Sequence, residues 1–208
     1  ALSTTVAASA LATLSRPGRL QREFEALSFY EPLARAAGAS RVFLPPPKDI
    51  VIAQRELPGK DIRRLQLRFA SPFKPLNPFA RPQFEAMQRN ACAHAQYWCH
   101  GDRPRPTLIV IHGFAADSHW LNAHALSLAG FYRRGYDILL FTYPHHGLRA
   151  ERGNWFSGQG LFGSGLAAFN EAPLHAIHDL RVFIDYLQGR GVEQIGVAGI
   201  SLGGFTPG

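Results

Sequence analysis

Three short, continuously apolar runs in the second half of the chain constrain its fold most: Leu108-Ile109-Val110-Ile111, Ile138-Leu139-Leu140-Phe141 and Ile195-Gly196-Val197-Ala198. Runs of this kind read as strands buried on both faces of a parallel sheet. Parallel neighbours need crossovers, and helical patterns stand where crossovers are required. One runs from about Ser118 to Arg134 and is closed by Gly135; the other runs from about Leu174 to Gln188 and is stopped by Gly189. In the second, Ile177, Leu180 and Ile184 form an apolar stripe that Val182 and Phe183 widen. Strand, helix, strand, helix, strand is the α/β pattern with right-handed crossovers.

The first hundred residues read differently. Residues 19–37 predict one helix, or two short ones interrupted at Pro32, with Gly38 as a stop. Pro45-Pro46-Pro47 marks an extended connector. Leu65, Leu67 and Phe69 alternate with Gln66, Arg68 and Ala70, the pattern of a half-exposed strand. The proline-rich stretch 71–83 reads as loop, and residues 91–99 as a further strand. The organisation expected is a lead-in over residues 1–60 and a core over residues 61–208.

The 208 residues are 46% hydrophobic and 18% charged, which supports one substantial core and no disordered tract. The net charge of +7 sits in residues 1–110, where arginines stand singly; the tightest group is Arg63, Arg64 and Arg68 on one strand. No nucleic-acid-binding motif accompanies them, so the charge reads as a solvated basic face. Cys92 and Cys99 stand seven apart on one extended strand, face opposite sides and are too far apart to bridge. Without a disulfide framework, a cytoplasmic compartment is the expectation. The chain starts at Ala1, however, so a trimmed leader and secretion remain open. No apolar run reaches the roughly 18 residues of a membrane span.

The chemistry stands at two strand ends. Val197-Ala198-Gly199-Ile200-Ser201-Leu202-Gly203-Gly204 carries Gly-x-Ser-x-Gly directly after the third apolar run, the pattern of a nucleophile elbow. Gly199 and Gly203 let strand and following turn approach closely while the serine takes a strained conformation. His112-Gly113-Phe114 directly follows the first run, and such a turn aims a backbone N–H at a developing oxyanion.

The stretches TLIVIHGF, GYDILLFTYPHHGLR and EQIGVAGISLGG together resemble the α/β-hydrolase superfamily over roughly residues 105–205. The tract YPHHGLR resembles the branch that includes alpha/beta hydrolase domain-containing protein 18. The resemblance implies an α/β fold with a mostly parallel central sheet and helices on both faces. It also implies Ser201 as nucleophile, Phe114 and Leu202 as backbone oxyanion donors, early antiparallel strands and a small-molecule acyl substrate. In the family the triad acid and histidine lie downstream of the nucleophile. Here only Leu202 through Gly208 follow, with no Asp, Glu or His among them. The expectation is therefore a partial α/β-hydrolase fold, truncated after the elbow, with impaired serine hydrolase activity. A non-catalytic remnant, or a small-molecule binding or interaction module, is the alternative.

His145 and His146 follow the second apolar run and are pocket candidates, as are Trp155 and Phe156 in the glycine-rich loop between Gly153 and Gly165. His112 reads as a turn stabiliser. His175 and His178, at i and i+3, lack a third ligand in register, so no metal site is expected. Gly158-Gln159-Gly160-Leu161-Phe162-Gly163 matches G-x-G-x-x-G, but no strand directly precedes it, and no nucleotide or other cofactor is expected. An elbow strand cut off from further neighbours presents an apolar edge, through which self-association is expected.

Overall fold

The structure, a computed structural model, describes residues 17–35, 42–59, 61–101, 103–116, 118–163 and 165–205. The opening residues 1–16, the Gly38 stop and the final Pro207-Gly208 lie outside them. Six strands form one sheet: β1 (Ala53–Leu57), β2 (Arg63–Ala70), β3 (Cys92–Cys99), β4 (Thr107–Ile111), β5 (Asp137–Phe141) and β6 (Ile195–Gly199). Their order is β1-β2-β3-β5-β4-β6. β4 pairs in parallel with both β5 and β6, whereas β1, β2, β3 and β5 pair antiparallel in succession. Four strands thus run in one direction, with β1 and β3 against them.

Side-chain alternation divides the core. Leu65, Leu67 and Phe69 of β2 and Ile109 and Ile111 of β4 face the long helix, packing with its Ala176 and Phe183. Val110, Ile138 and Leu140 face the other way, onto Ala123, Leu128 and Tyr132. The helices are α1 (Pro17–Ser28), α2 (Glu31–Arg35), α3 (Arg81–Ala86), α4 (His119–Ala125), α5 (Leu128–Arg133), α6 (Gln159–Gly163) and α7 (Leu166–Gly189). α7 covers one face; α4 and α5 cover the other. Among the described residues no helix is long and apolar enough to cross a membrane.

The elements depart from expectation where tertiary contacts outweigh local signals. The 19–37 stretch breaks at Phe29-Tyr30, and Pro32 occupies the first turn of α2, where its missing N–H costs nothing. The stretch expected to be all loop contains a 3-10 turn at Pro78–Ala80 and α3, with prolines near both starts. The helix expected over 118–134 is two, separated by Ser127 at φ 51°. The glycine-rich loop holds α6, and α7 begins eight residues earlier than Leu174, running straight through Pro173. Its early start is held from outside: Glu23 of α1 accepts from the Leu166 N–H at 2.7 Å, and Ala167, Glu171 and Ala172 are buried.

α7 also carries a buried polar stripe at four-residue spacing. Glu171 accepts from the Leu76 and Asn77 N–H groups and from the Tyr30 hydroxyl, at 3.0, 2.9 and 2.6 Å. One turn on, His175 stacks on Phe73 at 4.7 Å between ring centres. One turn further, Asp179 lies 2.8 Å from Nη1 of Arg149, and both side chains are fully buried. Arg149 Nη2 donates to the Asn90 carbonyl and to His175 Nε2, at 2.8 and 2.7 Å. Ser71 Oγ donates to Asp179 at 2.5 Å. Burial opposes the charge on Asp179, but the facing His175 and Arg149 outweigh it and hold the carboxyl well below the usual carboxylate range.

Removing one member leaves the other charge buried and uncompensated. Arg149→Met is expected to cost about 3–5 kcal/mol in urea unfolding, against less than about 1 kcal/mol for Arg152→Met on the exposed neighbouring turn.

Candidate active site

β6 leaves the sheet at Gly199 and enters a 3-10 turn over Ser201–Phe205. Ser201, at the corner, has φ 52°, in the left-handed region that non-glycine residues rarely enter. The flanking glycines are sterically required. A Cβ on Gly199 would overlap the Gly203 carbonyl, and one on Gly203 would overlap the Ile111 carbonyl at the end of β4. Two bonds fix the corner: the Ile200 N–H donates to the Ile111 carbonyl at 3.2 Å, and the Gly203 N–H to the Ile200 carbonyl at 2.9 Å. The serine is exposed, and among the described residues nothing hydrogen-bonds its hydroxyl.

The turn after β4 abuts this corner. A Cβ on Gly113 would lie 3.5 Å from Ser201 Cβ and 3.4 Å from the Ile200 carbonyl, ordinary contact distances that place this turn directly against the corner. His112 is committed on both nitrogens. Its Nδ1 pairs with the Gly113 carbonyl at 2.8 Å, and its Nε2 accepts from the Tyr143 N–H at 3.1 Å, fastening the ends of β4 and β5 together. Ala115 follows at φ 62°, a second strained residue in the turn. Among the described residues the Phe114 N–H has no acceptor, while its ring stands edge-on to His146, Phe156 and Phe162 at 5.6, 6.2 and 5.1 Å. Leu202 is partly buried and packs on the main core cluster.

The structure does not bring His145 or His146 to the Ser201 hydroxyl. His145, at φ 66°, turns toward Asn90: its N–H donates to Asn90 Oδ1 at 2.9 Å, and its Nε2 faces the Asn90 amide at 3.4 Å. His146 is fully buried, with Nδ1 on the Pro144 carbonyl at 2.8 Å and its ring beneath Gly158, where a Cβ would collide with it. Ser157 ties this turn to the one after β4, accepting from the Gly147 N–H and donating to the Ala116 carbonyl, at 3.0 and 3.1 Å. Of the two aromatic candidates, Phe156 touches Phe114, whereas Trp155 is 91% exposed and points clear of the corner.

Sequence reasoning missed the Arg149–Asp179–His175 cluster that anchors the His145–His146 turn from behind. Its signal was present: Glu171, His175 and Asp179 interrupt the apolar face of α7 at four-residue intervals.

No protein-family model and no curated protein matches the chain. Among solved structures it is similar to a Bacteroides fragilis protein assigned as an acetyl xylan esterase. The identity is 14% and the TM-score 0.52, over 87% of this chain and 49% of that one. Acetyl xylan esterase 1 of a Thermoanaerobacterium species follows at 17% identity and a TM-score of 0.45, over 74% of this chain and 45% of that one. The chain spans about half the length of these structures. The sheet order and the first likeness show the class: an α/β-hydrolase fold, with its parallel strands central and helices on both faces.

Burial, with neighbouring positive charge, lowers His94, His119, His146 and His175 to about 4 and His145 to about 3, from 6.5. Unfolding exposes these imidazoles, which then bind protons that the folded chain excludes. The stability they contribute is complete above about pH 6.5 and lost as pH falls toward 4. The melting temperature is expected to fall steadily across that window; a flat profile from pH 6.5 to 4.5 would contradict the buried, uncharged state.

Proposed function

We propose that the chain carries the nucleophile half of a serine hydrolase that acts on an ester or related acyl substrate through an acyl-enzyme on Ser201. The backbone N–H groups of Leu202 and Phe114 form the oxyanion hole, with His112, Gly113, Gly199 and Gly203 building the two turns. The observation that carries this reading is the left-handed Ser201 corner packed within van der Waals distance of the glycine turn after β4. Such strain persists where the surroundings enforce it, and it concentrates at functional sites. The substrate-facing wall is assigned to Phe114 and Phe156. The tract Tyr143–Arg149 supports placing the chain in the branch named above, with residues 61–208 as its incomplete α/β-hydrolase core.

Activity of these residues alone is impaired, because among the described residues no base meets the Ser201 hydroxyl and a serine without a base is a weak nucleophile at neutral pH. That same observation favours, as a second reading, a non-catalytic binding module that keeps the elbow as architecture.

Labelling with a fluorophosphonate probe separates the two. The expected result is slow labelling that Ser201→Ala abolishes, with ester turnover no more than about 10³–10⁴ over water. Labelling that survives Ser201→Ala, or none at all in a chain shown to be folded, would overturn the catalytic reading.

The same corner bears on partners. β6 has one neighbour, β4, and leaves Val197 37% and Ile200 49% exposed. We infer that a second copy pairs along this edge. Sedimentation velocity is expected to show a dimer that Val197→Lys converts to monomer; a concentration-independent monomer would refute it.

A further inference from the structure

The antiparallel half of the sheet carries a feature near the edge opposite β6. Alternation sends Leu65, Leu67 and Phe69 of β2 into the core beneath α7, and Arg64, Gln66 and Arg68 to the other face. The register then fixes their neighbours. Arg68 pairs with His94 of β3, and Gln66 pairs with Arg55 of β1. Arg68 and His94 are directly opposed, and Arg55 is the diagonal neighbour of Arg68, about 7–8 Å away on the same face. Together with Leu148, from the turn after β5, these residues line a notch of about 310 Å³.

The notch has an unbalanced charge. No carboxylate lines it, and among the described residues neither Arg55 nor Arg68 has an ion-pair partner. Like charges set as neighbours across strands cost stability unless something neutralises them. His94 Nδ1 is shielded from solvent and has no hydrogen-bond partner. The Gln66 amide is already committed to the Ala95 carbonyl at 3.1 Å, so it walls the notch without adding a donor.

We propose that this notch binds a small phosphate-bearing anion, held between the Arg55 and Arg68 guanidiniums with the His94 ring completing the cradle. Two arginines and a histidine line the notch from three strands. That arrangement suits a tetrahedral anion with several acceptor oxygens better than a planar carboxylate, which one guanidinium fork would satisfy. A concave site a few residues across, rimmed by Leu148, admits a soluble phosphate ester or free phosphate and not an extended polyanion. Burial and the surrounding Arg149, Arg68 and Arg89 hold His94 down at about 4. It therefore meets the anion as a neutral ring with one N–H to give, and a bound phosphate would oppose that shift. β5 and β4 lie between the strands that carry the site and β6, so it stands whether or not Ser201 is catalytic.

The test is histidine-detected NMR of the whole chain titrated with inorganic phosphate at pH 7 and fixed ionic strength. The expected result is a saturable shift of the His94 ring resonances, with affinity about tenfold or more weaker in Arg68→Gln and in Arg55→Gln. Arg68→Lys should retain more affinity than Arg68→Gln. Both arginines are exposed, so these variants should melt as the parent does, and a melt recorded on each checks it. A shift that chloride reproduces at equal ionic strength, or one indifferent to both glutamine variants, would overturn the site. Binding to vesicles of anionic phospholipid without any response to inorganic phosphate would overturn it too, replacing the small anion with a membrane surface.

Discussion

The Arg149–Asp179 ion pair organises the half of the molecule behind the Ser201 corner. Taking two charges out of water is costly, and the expense is offset in proportion to the donors and acceptors that find partners. Here the partners come from four separate segments: Ser71 after β2, the Asn90 carbonyl before β3, Arg149 after β5, and His175 with Asp179 on α7; Arg149 Nε has none among the described residues. An apolar core can slide by a fraction of a side chain with little loss, but a buried ion pair of this kind has one satisfactory register. It therefore fixes where α7 sits along the sheet and where the turn after β5 leaves it. Glu171, one helical turn from His175, repeats the device against the loop around Leu76 and Asn77.

The corner itself is governed by a steric constraint, not an electrostatic one. Gly203 is forced by the Ile111 carbonyl and Gly199 by the Gly203 carbonyl, while Gly113 stands within ordinary contact range of Ser201. The three glycines belong to one contact between the end of β4 and the turn after β6. Parallel pairing of those strands, from Thr107 opposite Ile195 to Ile111 opposite Gly199, delivers both turns to the same end of the sheet. The Ser201 strain is therefore imposed by the sheet and does not depend on a ligand.

What could be read from the residues, and what could not, follows the range of the interactions. The three apolar runs became β4, β5 and β6; β4 and β5 are buried on both faces as such runs require, whereas β6, at the sheet edge with one neighbour, is largely exposed and departs from that expectation. Leu65, Leu67 and Phe69 faced the core as their alternation required. The Gly-x-Ser-x-Gly corner was legible because steric rules act over five residues. The extent of α7 was not, because Glu23 caps it from 143 residues away and outweighs Pro173. Nor was the split at Ser127, which no local breaker announces. The histidines after β5 looked like pocket residues because they share a sheet end with Ser201. Asn90, remote in sequence, draws His145 aside, and Gly158 closes over His146. The arginines read as single exposed charges, and only strand register, which local pattern does not reveal, sets Arg55 and Arg68 as diagonal neighbours on one face.

The two edges of the sheet are managed in opposite ways, and the difference bears on function. β1 is short, exposed and polar, with Arg55 and Glu56 at its middle, a composition that discourages further pairing. β6 is the reverse: Ile195-Gly196-Val197-Ala198-Gly199 has no charge and an open outer side, the profile of a strand that expects neighbours. The Ser201 hydroxyl, at the end of β6, lies on the same side and meets no base among the described residues. Any strand paired with β6 would cover its apolar residues and would lie alongside the strand that presents the serine, so the covering of this edge and the surroundings of the corner are settled by the same contact.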